Sequence, residues 1–198
     1  PLILVVDDDP LLQRATVRLL NQAGYRTAQA DDGQAGLQAA RDQKPDLTLL
    51  DVNLPDISGI EVCRQIKAAP ALRDCFVMLL SAVRIDPHSQ TVGLEGGADG
   101  YIARPVSNEE LLARVRSLLR IKQAAEAKRH ESEVNFQLAF ENANIGMCLV
   151  DLQGRFLRVN QQFSNMLGYS QTELEGLSLV AITPTEVQAT TPSFIAEA

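Results

Sequence analysis

The stretch that decides the fold is Leu47-Thr48-Leu49-Leu50-Asp51-Val52-Asn53-Leu54-Pro55-Asp56-Ile57-Ser58-Gly59. It opens with a short apolar run, Leu47 to Leu50, which has the length of a strand and no helical period. The run ends at the carboxylate of Asp51 and passes into a cluster of turn-forming residues. Open α/β sheets hold their ligands at the carboxyl ends of their strands, so Asp51 is a candidate site residue. Taken alone, it could equally cap the turn or the following helix.

The same sequence of strand, polar residue and helix recurs along the first part of the chain. Strands are predicted at 2–6, 25–29, 47–50, 76–80 and 100–103, and helices at 10–24, 33–43, 57–69 and 87–96. A longer helix opens at Ser107, an N-cap candidate with Glu110 three residues later. This alternation predicts an α/β fold, a doubly wound sheet of five parallel strands covered by helices on both faces.

Polar residues follow four of the predicted strands, and the fold would bring them to one edge of the sheet. They are Asp7, Asp8, Asp51, Asn53, Ser81 and Arg104. Three neighbouring carboxylates raise one another's pKa, and a hard divalent cation, Mg²⁺ or Mn²⁺, would relieve that repulsion. A serine hydroxyl and a guanidinium suit phosphoryl oxygens. The set predicts a metal-dependent site in which Asp51 attacks phosphorus and forms an acyl phosphate.

Residues 1–119 resemble the receiver domain of two-component response regulators. The motifs that carry the resemblance are Ile3-Leu-Val-Val-Asp7-Asp8-Asp9-Pro10, Leu49-Leu-Asp51-Val-Asn53-Leu-Pro55-Asp-Ile-Ser-Gly59, Leu80-Ser81-Ala82 and Gly97-Ala-Asp-Gly-Tyr101-Ile-Ala-Arg104-Pro105. As a set these motifs are highly specific. The resemblance implies a flavodoxin-like sheet and phosphorylation by a sensor histidine kinase or a phosphotransfer protein.

The resemblance also implies a role for each matching residue. Asp51 would be the phosphoacceptor and, with Asp7, Asp8 and the backbone carbonyl of Asn53, would hold the metal. The phosphate-binding and switch residues would be Ser81, Ala82, Tyr101, Arg104 and Pro105, with a cis peptide bond before Pro105. The receiver would assist its own phosphorylation and would not be an enzyme in the strict sense.

Arg104 departs from the family pattern, which has lysine at this position. Arginine keeps the charge but is planar and forked, so the exchange is not conservative at a tight phosphate site. It could bind phosphoryl oxygens in a bidentate manner, or pair with Asp51 and hold the domain in one state. The second outcome would make the chain a phosphorylation-independent docking module. A third alternative, a haloacid-dehalogenase-type phosphohydrolase, rests on Asp7-x-Asp9 and lacks the later acidic pair that such enzymes need.

A long helix is predicted beyond the receiver, because no Gly or Pro occurs from Val106 to Asn144. A three–four spacing runs along it through Leu111, Val115, Leu118, Lys122, Ala125, Arg129, Ser132, Phe136 and Ala139. This spacing predicts a helical linker over 120–138 that forms either a two-stranded coiled coil or a solvated helix. We expect a homodimer through the helix after residue 107.

The texture changes again over 139–198, which resembles the amino-terminal part of a PAS sensor domain. The pattern there predicts two strands around a glycine turn, then short helices at 161–167 and 171–176. We expect this α+β segment to be truncated, with exposed apolar edges that favour self-association. No cofactor is predicted for it. The receiver's state would pass through the helix to this module and to an output domain that the sequence does not contain.

Composition limits the remaining function classes. The net charge of −7 argues against direct nucleic-acid binding, which needs a basic patch. No apolar run reaches membrane-spanning length, so no membrane binding is expected. The three cysteines, Cys63, Cys75 and Cys148, lie far apart in sequence and predict small core residues in a reducing, cytoplasmic environment.

Overall fold

The computed structural model describes residues 1–81 and 96–183 of the 198-residue chain. The chain divides into two compact units, Pro1–Ala127 and Lys128–Ala198. The helix predicted over 87–96 falls, apart from Gly96, outside the described residues, and so does the predicted switch residue Ala82.

Strands and helices alternate in the first unit. Its strands are β1 (Leu2–Val6), β2 (Arg26–Ala30), β3 (Leu47–Asp51), β4 (Phe76–Ser81) and β5 (Gly100–Ala103). Its helices are α1 (Pro10–Gln22), α2 (Gly33–Gln43), α3 (Gly59–Ala68), a 3₁₀ turn (Pro70–Leu72) and the start of α4 (Asn108–Glu141). The predicted order of elements is therefore confirmed over the described residues.

The five strands form one parallel sheet in the order β2-β1-β3-β4-β5. Val6 of β1 pairs with Ala30 of β2 and with Leu50 of β3, so three strands end level with one another. Asp51, the last residue of β3, pairs with Leu80 of β4. The predicted flavodoxin-like sheet is confirmed, and its carboxyl ends share one edge.

Both faces of the central strands β1, β3 and β4 are buried, as expected of strands that are apolar at nearly every position, whereas the edge strand β2 is partly exposed. On one face Leu4, Val6 and their neighbours pack against α2 and α3. On the other face Ile3 and Val5 pack with residues of α1 and α4. Burial on both faces fixes the strands in place and presents their carboxyl ends at a constant position.

Two helix boundaries in the first unit differ from the prediction by two residues, for local reasons. Helix α1 ends at Gln22 and not at Gly24, because Gly24 turns the chain with a φ of +87°. Helix α3 begins at Gly59 and not at Ile57, because Ser58 caps it by accepting a hydrogen bond from the Glu61 amide at 3.3 Å. A Cβ on Gly59 would lie 2.0 Å from the Asp51 carbonyl oxygen, so only glycine fits there.

Helix α4 is as long as the sequence predicts, and Ser107 caps it by accepting a hydrogen bond from the Glu110 amide at 3.1 Å. Four residues of the predicted stripe are buried in the first unit, namely Leu111, Val115, Leu118 and Lys122. Lys122 is an unexpected member of that core, and its ammonium lies 2.7 Å from Oδ1 of Asp46. Every residue from Gln123 to Ala139 is exposed. Dimerisation through this segment stays a prediction.

The second unit contains an antiparallel hairpin of β6 (Cys148–Val150) and β7 (Phe156–Val159), followed by α5 (Gln161–Leu167), α6 (Gln171–Leu174) and α7 (Leu179–Ile182). The predicted strands and short helices are thus present. Phe156, Val159 and Leu174 form its buried core. Large apolar side chains on its surface include Ile145, Leu149, Leu152, Leu157 and Met166. No helix among the described residues is long and apolar enough to cross a membrane.

Candidate functional site

The carboxyl ends of four strands bring the predicted polar residues to one edge of the sheet. Asp7 follows β1, Asp51 ends β3, Ser81 ends β4 and Arg104 follows β5. The Arg104 amide donates a hydrogen bond to the Ser81 carbonyl oxygen at 2.7 Å, which fixes the chain beyond β5 against β4. The Arg104–Pro105 peptide bond is cis, as the resemblance implied.

Three carboxylates form the centre of the site. One oxygen each of Asp7, Asp8 and Asp51 lies within 4.8 Å of the other two. Asp7 and Asp51 are buried, with exposed fractions of 1% and 7%, whereas Asp8 is exposed. The site is therefore an acidic pocket in which Asp7 and Asp51 are buried and Asp8 is exposed to solvent.

Two of the buried carboxylate oxygens, Oδ2 of Asp7 and Oδ1 of Asp51, have no hydrogen-bond donor among the described residues. Oδ2 of Asp7 does have an ionic partner, because Nη2 of Arg104 lies 2.7 Å away, in a direction that does not make a hydrogen bond. Sequence reasoning had considered Asp51 as the ionic partner of Arg104, and the structure pairs it with Asp7.

Burial raises the pKa of Asp51, and the neighbouring charge of Asp7 raises it further. The Arg104 guanidinium and the amides of Asn53 and Val52 act in the opposite direction without cancelling the rise. The negative charge of the Asp51 carboxylate is thus only partly offset by the nearby guanidinium and amides.

These residues fit a hard divalent cation. Carboxylate oxygens are ligands that Mg²⁺ prefers. A buried carboxylate oxygen without a partner is energetically costly, and a bound cation would remove that cost. Asn53 follows Asp51 by two residues and is exposed at the same edge. The structure therefore brings Asp7, Asp8 and Asp51 together in an arrangement that could hold a metal ion, with Asn53 two residues beyond Asp51.

The other predicted residues surround this centre. Ser81 is buried at the end of β4. Tyr101 is half-buried and packs against the core cluster on the α2 and α3 side of the sheet. Pro105 is exposed. Ser81 thus lies at the edge of the sheet that the carboxylates occupy, and Tyr101 lies on the neighbouring strand, two residues before its end.

Two supporting residues were missed by sequence reasoning. Gln13 is buried on α1, and its Nε2 donates to the carbonyl oxygens of Asp7 and Ala30 at 3.1 and 2.8 Å. Asp56 had been assigned to the turn after β3, yet its carboxylate binds the amides of Gly33 and Gln34. The helical period places Gln13 on the buried face of α1, which could have singled it out, whereas nothing in the sequence connects Asp56 to α2.

An apolar cavity of about 370 Å³ lies beside the site, between α1 and α4. Its lining residues are Leu12, Ala15, Thr16, Leu19, Leu80, Arg104, Pro105, Val106, Asn108 and Leu111. Arg104 therefore lines this cavity while its guanidinium reaches the acidic pocket.

Comparison with known families gives two matches. Residues 3–116 match the response regulator receiver domain, and residues 135–195 match the PAS domain. The first match covers the sheet and all the carboxylates of the site. The second covers the hairpin and short helices of the second unit.

Among curated proteins, the chain is 43% identical over 120 residues to the transcriptional regulatory protein AfsQ1 of Streptomyces coelicolor, which is 61% of this chain and 52% of that protein. It is 43% identical over 118 residues to the DNA-binding response regulator MtrA of Mycobacterium tuberculosis, 60% of this chain and 50% of that protein. The chain thus spans about half the length of these relatives. A CheY-like receiver domain from Methanospirillum hungatei has a similar structure, with a TM-score of 0.59 and 27% identity over 63% of this chain and 97% of that one.

Proposed function

The chain belongs to the response regulator receiver domain family over residues 3–116, and we propose that it is a phosphorylation-controlled switch in a two-component signalling pathway. Asp51 is the proposed phosphoacceptor. One observation carries the proposal: three carboxylates lie within 4.8 Å of one another at the strand ends, and the buried Oδ1 of Asp51 has no hydrogen-bond donor among the described residues.

The proposed reaction is phosphoryl transfer from a phosphohistidine. A carboxylate oxygen of Asp51 attacks phosphorus, the bond from phosphorus to the donor imidazole nitrogen breaks, and the imidazole keeps that electron pair and is protonated by solvent. The product is an aspartyl phosphate. Bound Mg²⁺ or Mn²⁺ would supply positive charge that lowers the repulsion between the acidic pocket and the phosphoryl group.

The residues of the chain each have a part in this reaction. Asp7, Asp8 and Asp51, with the Asn53 carbonyl, would hold the metal. Arg104 would leave Asp7 and pair with a phosphoryl oxygen, which its forked guanidinium suits. The Ser81 hydroxyl would donate to another oxygen, and Tyr101 would respond to the new position of Ser81. The switch is a signalling step and not the turnover of an enzyme.

The proposed partner is a sensor histidine kinase or a phosphotransfer protein in the cytoplasm. The apolar cavity between α1 and α4 supports this, because it lies beside Arg104 and next to the exposed Leu11 and Leu12. Exposed apolar side chains next to a cavity are typical of a surface that binds another protein. Neither nucleic acid nor membrane is proposed as a direct partner.

The proposed relay runs through α4 to the PAS module. In the first unit Lys122 of α4 is held by Asp46. In the second unit the carbonyl oxygen of Phe140 accepts a hydrogen bond from Asn160 Nδ2 at 2.8 Å, and Arg158 pairs with Glu141 at 3.2 Å. The first half of the helix is therefore anchored in the first unit and its last residues in the second. These anchors support transmission along the helix, and homodimerisation is proposed through its exposed part between them.

A second candidate function is a docking module that does not depend on phosphorylation. The ion pair between Arg104 and Asp7 favours it, because a guanidinium already satisfies a carboxylate that the metal would need. In this case the receiver would hold one state. A haloacid-dehalogenase-type phosphohydrolase has no comparable support.

Intact mass after incubation with Mg²⁺ and acetyl phosphate tests the proposal. A phosphate adduct that needs Mg²⁺ and is lost in Asp51→Ala supports the phosphorylated switch. An adduct that forms only in Arg104→Lys identifies the docking module, with Arg104 as the block. An adduct that persists in Asp51→Ala contradicts the assignment of the phosphoacceptor.

A further inference from the structure

Asp56 connects two segments at the carboxyl edge of the sheet, one that follows β2 and one that follows β3. Its Oδ1 accepts a hydrogen bond from the Gly33 amide and its Oδ2 from the Gln34 amide, both at 2.9 Å. Gly33 and Gln34 are the first residues of α2. Asp56 lies in the segment between Asp51 and α3. One carboxylate therefore ties the start of α2 to the segment that follows the phosphoacceptor.

The two segments are also tightly packed against each other, in addition to being hydrogen-bonded. A Cβ on Gly33 would lie 2.5 Å from Cγ1 of Ile57 and 3.1 Å from Oδ1 of Asp56. Partial desolvation raises the pKa of Asp56, but the hydrogen bonds from Gly33 and Gln34 outweigh it and hold the pKa below its ordinary value. The carboxylate is thus ionised and bound by both of its oxygens.

The residues before α2 are in turn hydrogen-bonded to Asp7, which follows β1, and to Gln13 of α1. The Asp7 amide donates to the Ala30 carbonyl oxygen at 3.2 Å. Gln13 Nε2 binds that same carbonyl oxygen at 2.8 Å and Oδ1 of Asp31 at 2.8 Å. The end of β2 and the loop after it are therefore fixed to Asp7 and α1.

These hydrogen bonds and the chain segments between them form a closed ring beside the site. It runs from Asp7 to Ala30, along the chain to Gly33, across the Asp56 carboxylate, and back along the chain to Asp51. The direct pairing of Val6 with Leu50 already fixes Asp7 relative to Asp51, so these contacts bear on the segment that follows Asp51 and contains Asn53. Asp56 is the side-chain link that closes the ring, so its loss would let the segment after Asp51 move away from α2.

We infer that Asp56 is a positioning residue of the proposed metal and phosphoryl site, which holds the segment after Asp51, and with it the Asn53 carbonyl, in place relative to Asp7 and Asp8. The inference rests on the proposed function. Residues that hydrogen-bond directly to metal ligands typically change metal affinity by 10–100-fold when they are removed. Asp56 hydrogen-bonds to the Gly33 and Gln34 amides and acts on the ligands through the backbone, so its effect is expected at the low end of that range. Asp56 touches neither metal nor phosphoryl group, so its effect is indirect.

The test compares Asp56→Ala with Asp32→Ala. Asp32 caps the same helix by accepting a hydrogen bond from the Ala35 amide at 2.7 Å, and among the described residues its side chain makes no hydrogen bond to the segment after Asp51. Both variants lose a helix cap, and similar losses of melting temperature are expected. The measurements are the Kd for Mn²⁺, by electron paramagnetic resonance, and the rate of phosphorylation by acetyl phosphate as a function of Mn²⁺ concentration.

We expect Asp56→Ala to weaken Mn²⁺ binding about tenfold, with the phosphorylation rate largely recovered at saturating Mn²⁺. Asp32→Ala should change the Kd less than about twofold, and Asp56→Asn, which keeps one acceptor oxygen, should lie between Asp56→Ala and wild type. Equal Kd values for Asp56→Ala and Asp32→Ala would overturn the inference. If the wild-type chain neither binds Mn²⁺ nor is phosphorylated, it is the proposed function that fails.

Discussion

Nη2 of Arg104 lies 2.7 Å from Oδ2 of Asp7, with only 13% and 1% of the two side chains exposed. The pair joins the end of β5 to the end of β1 across the acidic pocket. It supplies one positive charge to three carboxylates, and it occupies an oxygen that a metal ion would also use. A divalent cation bound in this pocket would therefore compete with Arg104 for Asp7.

The first prediction follows from this competition. Arg104→Gln should bind Mg²⁺ roughly threefold to tenfold more tightly than wild type, because a repelling charge is removed and Asp7 is released. Isothermal titration calorimetry measures the difference. Arg64→Gln removes an exposed arginine that pairs with Glu61 and should have no effect. Unchanged or weaker binding in Arg104→Gln would show that the two cations do not compete.

The second prediction concerns the cost of burying Asp51. Asp51→Asn should raise the melting temperature in the absence of metal by about 2–4 °C, since it removes a buried charge that burial and Asp7 both disfavour. Differential scanning calorimetry near neutral pH makes the measurement. Added Mg²⁺ should stabilise the wild type more than the variant, because binding to the folded state requires the carboxylate.

The matched control for this prediction is Asp42→Asn. Asp42 is exposed on α2 and accepts hydrogen bonds only from Gln38 among the described residues, so its neutralisation should leave the melting temperature nearly unchanged. A lower melting temperature for Asp51→Asn would mean that the Asp51 charge is compensated in the folded protein.

The third prediction concerns the anchor of α4 in the first unit. Asp46 pairs with Lys122 at 2.7 Å and accepts the Leu2 amide at 2.7 Å. Asp46→Asn should lower the free energy of unfolding of this unit by roughly 1–2 kcal/mol near neutral pH. Urea unfolding followed by hydrogen exchange of the β1 and β3 amides measures the loss.

This loss should depend on pH in a defined direction. Partial burial raises the pKa of Asp46, but the hydrogen bonds from Lys122 and Leu2 outweigh it and hold the pKa below its ordinary value of 3.8. The stabilisation is therefore fully present above 3.8 and is lost as the pH falls through the lower folded-state pKa. Wild type and Asp46→Asn should converge in that acidic range. A difference that persists there would assign the effect to packing.

The fourth prediction concerns Asn160, which is fully buried and makes four side-chain hydrogen bonds. They join the end of α4, the segment before β6 and the start of α5. Asn160→Ala should destabilise the second unit by about 3 kcal/mol, because several buried backbone groups lose their partner. Hydrogen exchange resolved by unit should show the loss in the second unit alone. Asn165→Ala, on the exposed side of α5, should leave exchange unchanged.

The central strands β1, β3 and β4 could be predicted from the sequence because they are apolar at nearly every position. Leu47 to Leu50 and Phe76 to Leu80 could not be surface strands or amphipathic helices, and polar residues directly after them had to lie at the sheet's carboxyl edge. The convergence of Asp7, Asp8 and Asp51 follows from that topology alone. This is why the acidic centre could be assigned before any coordinates.

The supporting contacts could not be predicted, because each joins residues that are distant in sequence through side-chain geometry. Lys122 pairs with Asp46 over 76 positions, and Asp56 reaches Gly33 over 23. In the sequence Lys122 merely dilutes an apolar stripe and Asp56 belongs to a turn. The ionic partner that the sequence suggested for Arg104 was Asp51, whereas the structure pairs Arg104 with Asp7, which the end of β1 brings to the same edge.

The central claim is that Asp51 accepts the phosphoryl group, and the most direct test locates that group. The chain is incubated with Mg²⁺ and acetyl phosphate and then reduced with borohydride, which converts an aspartyl phosphate to homoserine, before peptide mass spectrometry. The account predicts homoserine at position 51 and at no other aspartate. Homoserine at Asp7, Asp8 or Asp56, with Asp51 unmodified, would contradict it.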